Sequence, residues 1–183
     1  FELKIFSIDG QPVKTEQSMI ILPDGGIELI KSFDLVIIPG WDDFNHKPEE
    51  SLIEGLNHAY QKGIKIVGLC YGTYALAYSG LLKNKKAATH WMAEQDFSER
   101  FPDIKLDRDA LYVEDQRIIT SAGTGAALDC CLYLVREMYN AQIANKVSRV
   151  MVIPPHREGG QAQLIEQPIA NSSQDAQINV LLD

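Results

Sequence analysis

Short apolar runs alternate with amphipathic stretches along this chain, and their periods predict its elements. Phe1 to Ile8 alternates apolar and polar residues and breaks at Asp9-Gly10, which predicts a strand into a turn. Ser18 to Leu22 predicts a short strand closed by Pro23-Asp24-Gly25-Gly26. Asp34 to Pro39 is continuously apolar, the signature of a parallel strand buried on both faces, and Gly40-Trp41-Asp42-Asp43 follows as a loop. Pro48 to Lys62 reads as a helix with Leu52, Ile53, Leu56, Ala59 and Tyr60 on one face and Gly63 as its stop. Ile64 to Leu69 is a central strand, and a helix from about Tyr71 to Ser79 ends at Gly80.

Beyond Gly80 the pattern continues. Ala87 to Thr89 predicts a short strand ending at His90-Trp91, and Trp91 to Arg100 a helix stopped before Pro102. Ala110 to Glu114 and Arg117 to Thr120 alternate around Asp115-Gln116 as a hairpin. The small residues Ser121 to Gly125 open a long helix with an expected inner stripe of Leu128, Leu132, Val135 and Met138/Tyr139. A second helix over Ala141 to Val152 is expected to bury Ile143, Ala144, Val147, Val150 and Met151. From Pro154 the composition turns to Pro, Gly, Gln, Asn and Ser, which fits a docking loop followed by a linker. Strands alternating with helices predict an α/β fold, a three-layer α/β/α sandwich on a mostly parallel sheet. Ligands of such sheets sit at the carboxyl ends of the strands. Gly40, Cys70, His90 and Ser121 are all expected there and so on one rim.

The stretch Lys65 to Ala77 carries the sharpest chemical signal. An apolar strand runs into Gly68-Leu69-Cys70-Tyr71-Gly72 and at once into a helix. Small residues on both sides of Cys70 permit a strained turn that exposes a nucleophile, as in the analogous serine motif. The helix that follows points its positive end at Cys70 and favours a thiolate. The bland alternative is a small buried hydrophobe.

Composition narrows the function. The 183 residues suffice for one α/β domain, and 45% hydrophobic with 23% charged residues is ordinary globular usage. The net charge of −8 makes the chain alone a poor binder of DNA. Three cysteines, Cys70, Cys130 and Cys131, supply no disulfide framework and suit a reducing cytoplasm. No apolar run reaches membrane-spanning length, so no membrane role is expected. His46, His58, His90 and His156 have no ligand-like spacing, so no metal and no cofactor is expected. Gly123-Thr124-Gly125 before a helix fits either an anion cradle or close backbone packing. Trp41, Asp42 and Asp43 either line a pocket mouth or cap their loop.

Three strings in order, Gly68 to Gly72, Ala88-Thr89-His90-Trp91 and Ile118 to Thr124, resemble the ThiJ/PfpI-like superfamily, also called class I glutamine amidotransferase-like. With Gly80-Leu81-Leu82, the block from Val113-Glu114-Asp115 to Asp129, and Pro155 to Gln163, the chain is most similar to the N-terminal domain of AraC-type transcriptional regulators. The resemblance covers Phe1 to about Ile165 and implies a flavodoxin-like sheet. It also implies a sensor domain over residues 1–165, and a linker over 166–183 toward a helix-turn-helix domain not in this chain. A first strand-helix unit, carrying the acid that pairs with the elbow cysteine in many relatives, is expected upstream of Phe1. Proteases of the superfamily usually have His after the cysteine, where this chain has Tyr71.

The resemblance implies effector sensing and homodimerisation, with DNA bound only through the separate domain. The candidate dyad is Cys70 with His90, and the candidate ligand-binding residues are Gly40, Trp41, Cys70, Tyr71, His90, Ser121 and Ala122. The alternative is a cysteine-dependent hydrolase, amidase or hydratase using Cys70. His156-Arg157-Glu158 copies the His-x-Glu spacing of true glutamine amidotransferases, and its other reading is a structural loop with Arg157 and Glu158 paired locally.

Overall fold

The computed structural model describes residues 1–15 and 18–163. In chain order the elements are β1 (Val13–Lys14), β2 (Ile20–Ile21), a 3-10 turn (Ile27–Ser32), β3 (Leu35–Ile38), α1 (Glu50–Gln61), β4 (Lys65–Leu69) and α2 (Gly72–Tyr78). They continue as β5 (Lys86–Ala87), a 3-10 turn (Trp91–Ala93), α3 (Glu94–Arg100), β6 (Lys105–Leu106), β7 (Tyr112–Asp115), β8 (Ile118–Ser121), α4 (Thr124–Met138) and α5 (Ala141–Met151). The linker expected over 166–183, and the domain boundary at residue 165, lie outside the described residues.

The central sheet has the order β3-β4-β8-β7. β3 pairs with β4 and β4 with β8 in parallel, and β7 closes the edge antiparallel to β8. Strand alternation sorts the core into two halves. Val36, Ile38, Ile66 and Ile118 face one way and pack with Leu52, Leu56, Tyr74, Leu76 and Phe97 from α1, α2 and α3. Val67, Leu69 and Ile119 face the other way and meet Ala126, Cys130 and Leu134 of α4. These are the three layers of a flavodoxin-like α/β sandwich, with β4 and its Cys70 turn at the centre.

Several expectations need correction. Phe1 to Ile8 is not a strand; it makes one isolated bridge, Phe6 to Gly25, and Phe1 and Leu3 are exposed. Only Phe6 and Ile8 at its end pack against the core, and no ladder forms to bury the rest of that face. β5 pairs with β6 in a separate two-stranded ladder instead of joining the central sheet. On α4 Leu132 is buried as expected, but the sheet takes the smaller series Ala126, Cys130 and Leu134, spaced by four, while Leu128, Met138 and Tyr139 stay exposed. Small side chains let the helix approach the sheet closely, and this outweighs the stripe of larger residues. α5 repeats the pattern: it buries Ala144 and Ser148, and leaves Ile143, Val150 and Met151 exposed.

Candidate functional site

Cys70 sits between β4 and α2 with φ +54°, a left-handed backbone unusual for any residue but glycine. The turn is held from both sides. The Cys70 N–H donates to the Ser121 carbonyl at 3.0 Å, so β8 extends its ladder one residue past β4. A Cβ on Gly72 would overlap the Ile38 carbonyl, so only glycine lets α2 begin this close to β3. The same contact brings the Gly40 backbone beside the turn.

Three buried threonines hang the His90 segment from this turn. The Thr73 hydroxyl donates to the Ala88 carbonyl at 3.0 Å, and the Ala88 N–H donates to the Thr120 hydroxyl at 2.8 Å. The Thr89 hydroxyl donates to the Cys70 carbonyl itself at 3.1 Å. This network, and not sheet pairing of β5, carries His90 to the elbow. The His90 ring lies 5.4 Å from the Tyr71 ring, and Phe44 meets the same Tyr71 edge-on at 4.8 Å. A side chain on Gly123, the N-cap of α4, would overlap the imidazole edge, so that glycine serves close packing of His90 against the helix start.

The remaining candidates take distinct places. Ser121 and Ala122 are buried; the Ser121 hydroxyl donates to the Ala122 carbonyl, and what Ser121 offers Cys70 is its backbone. The Trp41 indole N–H donates to the His46 carbonyl at 2.8 Å and closes the 41–46 loop on itself. Asp42 and Asp43 cap N–H groups of that loop, Asp42 that of Asp43 and Asp43 that of Asn45. Among the described residues, no cluster of three or more His, Cys, Asp or Glu stands together as a metal site.

Electrostatics sets what the rim can do. Burial pushes the Cys70 thiol above its ordinary value, and only the Tyr71 backbone N–H opposes it. Burial thus works against the thiolate that the helix start was expected to favour. Burial also lowers His90. Its Nδ1 accepts the Met92 N–H at 3.2 Å, which puts the ring proton on Nε2. The Cys70 turn thus carries a protonated thiol, and the His90 segment tied to it carries a neutral imidazole whose Nε2–H lies on the side of Gly123.

Two anchors were hidden in the sequence within the 154–163 loop. Arg157 does not pair with Glu158, which is exposed; it forms an ion pair with Asp129, a carboxylate buried on α4, with Nε to Oδ2 at 3.0 Å. The carbonyl of Gly159 accepts the Leu111 N–H, and a Cβ on Gly159 would overlap the Tyr112 carbonyl. The second anchor is Gln163, at the end of the same loop. An Asp in an otherwise apolar helix stretch and a Gln after Gly-Gly were the only sequence signals for these roles.

The DJ-1/PfpI family model matches residues 1–137. The HTH-type transcriptional regulator CdhR of Pseudomonas aeruginosa is 30% identical over 149 residues, which cover 81% of this chain and 44% of that protein. Protein DJ-1alpha of Drosophila melanogaster is also 30% identical, over 79% of this chain and 67% of its own length. A solved AraC family transcriptional regulator from Pseudomonas putida superposes with a TM-score of 0.71 at 23% identity, over 82% of this chain and 81% of that one. The chain spans under half the length of the curated regulators it matches.

Proposed function

The chain belongs to the DJ-1/PfpI family, and from that premise we propose that it is the effector-sensing and dimerising domain of an AraC-family transcriptional regulator. The observation that carries this reading is the likeness to HTH-type regulators across four fifths of the chain. The site chemistry supports it: a thiol that burial keeps protonated, with an imidazole nearby whose Nδ1 is already taken by the Met92 N–H, suits recognition better than proton abstraction. The effector is a small molecule bound at the rim of Cys70, Tyr71 and His90, with DNA contacted by a separate helix-turn-helix domain. Two-fold pairing of the domain would match operators split into half-sites. Exposed apolar side chains on α5, Val150 and Met151 above all, together with the loop from Pro154, supply the contact surface.

One feature favours the enzyme reading, a cysteine-dependent hydrolase, amidase or hydratase. The left-handed backbone at Cys70 is the strained pose of a nucleophile elbow. Assay of the purified chain against amide, ester, peptide, isocyanide and 2-oxoaldehyde substrates separates the two, with Cys70→Ala as control. The sensor reading expects no turnover above background. Turnover that vanishes in Cys70→Ala overturns it.

A further inference from the structure

We propose that Gln163 is a positioning residue that couples the Cys70 rim to the strap formed by residues 154–163. Its purpose rests on the sensing function proposed above; its geometry does not. The Gln163 side chain is almost wholly buried and reads the backbone on both sides of His90. Its Oε1 accepts the Trp91 N–H at 3.2 Å, and its Nε2 donates to the Thr89 carbonyl at 3.2 Å. The same Nε2 is shared with the carbonyls of Arg108 at 3.1 Å and Ala110 at 3.4 Å. Its own backbone N–H donates to the Asp109 carbonyl at 2.9 Å. Only a neutral amide offers one acceptor and two donors at this reach.

Thr89 makes this a connected path. Its hydroxyl holds the Cys70 carbonyl, and its carbonyl holds Gln163. Two hydrogen bonds therefore join the elbow to residue 163, with little solvent along the way to absorb a shift. A ligand that moves the Thr89–His90 backbone must break or carry the Gln163 contacts. The start of the strap is fixed independently by Arg157 on Asp129 and by the Gly159 carbonyl on Leu111, so the displacement falls on residues 160–163. Reciprocal measurements at the two ends of the path test the coupling.

The first measurement is iodoacetamide alkylation followed at Cys70 by peptide mass spectrometry, in the full chain. Gln163→Leu and Gln163→Glu should each raise the Cys70 rate by about threefold or more. Arg157→Gln, which loosens the strap without touching the Thr89 contacts, should leave that rate near wild type. The second measurement needs no variant. Amide exchange in the wild-type chain, before and after carbamidomethylation of Cys70, should rise at Trp91 and Gln163 and stay unchanged along α1. The proposal is overturned if Cys70 reactivity ignores both Gln163 substitutions while they remain folded, or if Arg157→Gln has the same effect. It is also overturned if exchange rises equally along α1, because that marks general loosening. Where the Gln163 variants do not fold, the wild-type exchange experiment decides alone. Neither readout involves DNA, effector or turnover. A catalytic result in the substrate panel would therefore remove the sensing function, while the alkylation and exchange rates would still decide the coupling.

Discussion

At Cys70 two influences on the thiol oppose each other, and burial is the larger. The thiolate fraction at neutral pH is accordingly below that of an ordinary cysteine, so alkylation of Cys70 should be slower than that of a free thiol and still rising at alkaline pH. A rate that levels off near neutrality would contradict this. Cys130 is fully buried and pushed up much further, so it should react after Cys70 in the folded chain. His90 gives a stability prediction. Its folded value is lowered from 6.5, so the unfolded chain takes up the proton first as pH falls. The stability this group contributes is present above the unfolded value and is lost as pH falls toward the folded one. Urea midpoints measured at about pH 7.5 and about pH 5.5 should differ more for wild type than for His90→Gln. Cys70 was legible from its glycines and from the strand-to-helix switch. Its charge state was not, because the burial that raises the thiol is set by the assembled fold.

Among the elements, continuous runs and caps were the legible ones. Leu35–Ile38, Lys65–Leu69 and α1 fall where the apolar periods put them, and the Gln116 turn, with φ +61°, joins β7 to β8 as the hairpin reading required. What stayed hidden was which side of α4 and α5 meets a neighbour, since close approach selects small residues over the most apolar stripe. The route of His90 was hidden too, because it depends on side-chain hydrogen bonds from Thr73, Thr89 and Thr120, and a hydroxyl leaves no periodic trace. The pair holding α4 to the 154–163 loop is asymmetric, and this sets its mutants apart. Asp129 is buried while Arg157 reaches partly into solvent. Removing Arg157 leaves a carboxylate without a partner inside the protein and should cost about 3 kcal/mol. Removing Asp129 lets the guanidinium turn to water and should cost less, roughly 1–2 kcal/mol. Denaturant titration of Arg157→Ala and Asp129→Ala tests the order. Gly72→Ala pushes a methyl into the Ile38 carbonyl and should destabilise by about 3 kcal/mol or more, with β3 shifted or the chain unfolded.

For the whole molecule, a net charge of −8 leaves little to offset phosphate repulsion. The chain alone should show no retention of duplex DNA at physiological salt, and a stable complex in a mobility shift would refute that. Sedimentation should show a dimer at micromolar concentration, and Val150→Asp on the exposed face of α5 should shift it toward monomer. A wild-type chain that sediments only as a monomer would remove dimerisation from the proposed function. The left-handed backbone at Cys70 also sets a direction for sequence drift. Holding a side chain there costs about 1–2 kcal/mol that glycine does not incur. Cys70→Gly should therefore melt at a higher temperature than Cys70→Ala, although both lack the thiol. In a library selected for folding alone, glycine should displace cysteine at position 70 within a few rounds. In a library selected for the intact function, cysteine should persist against that gradient, and the difference between the two populations would measure how much the organism gains from the sulfur.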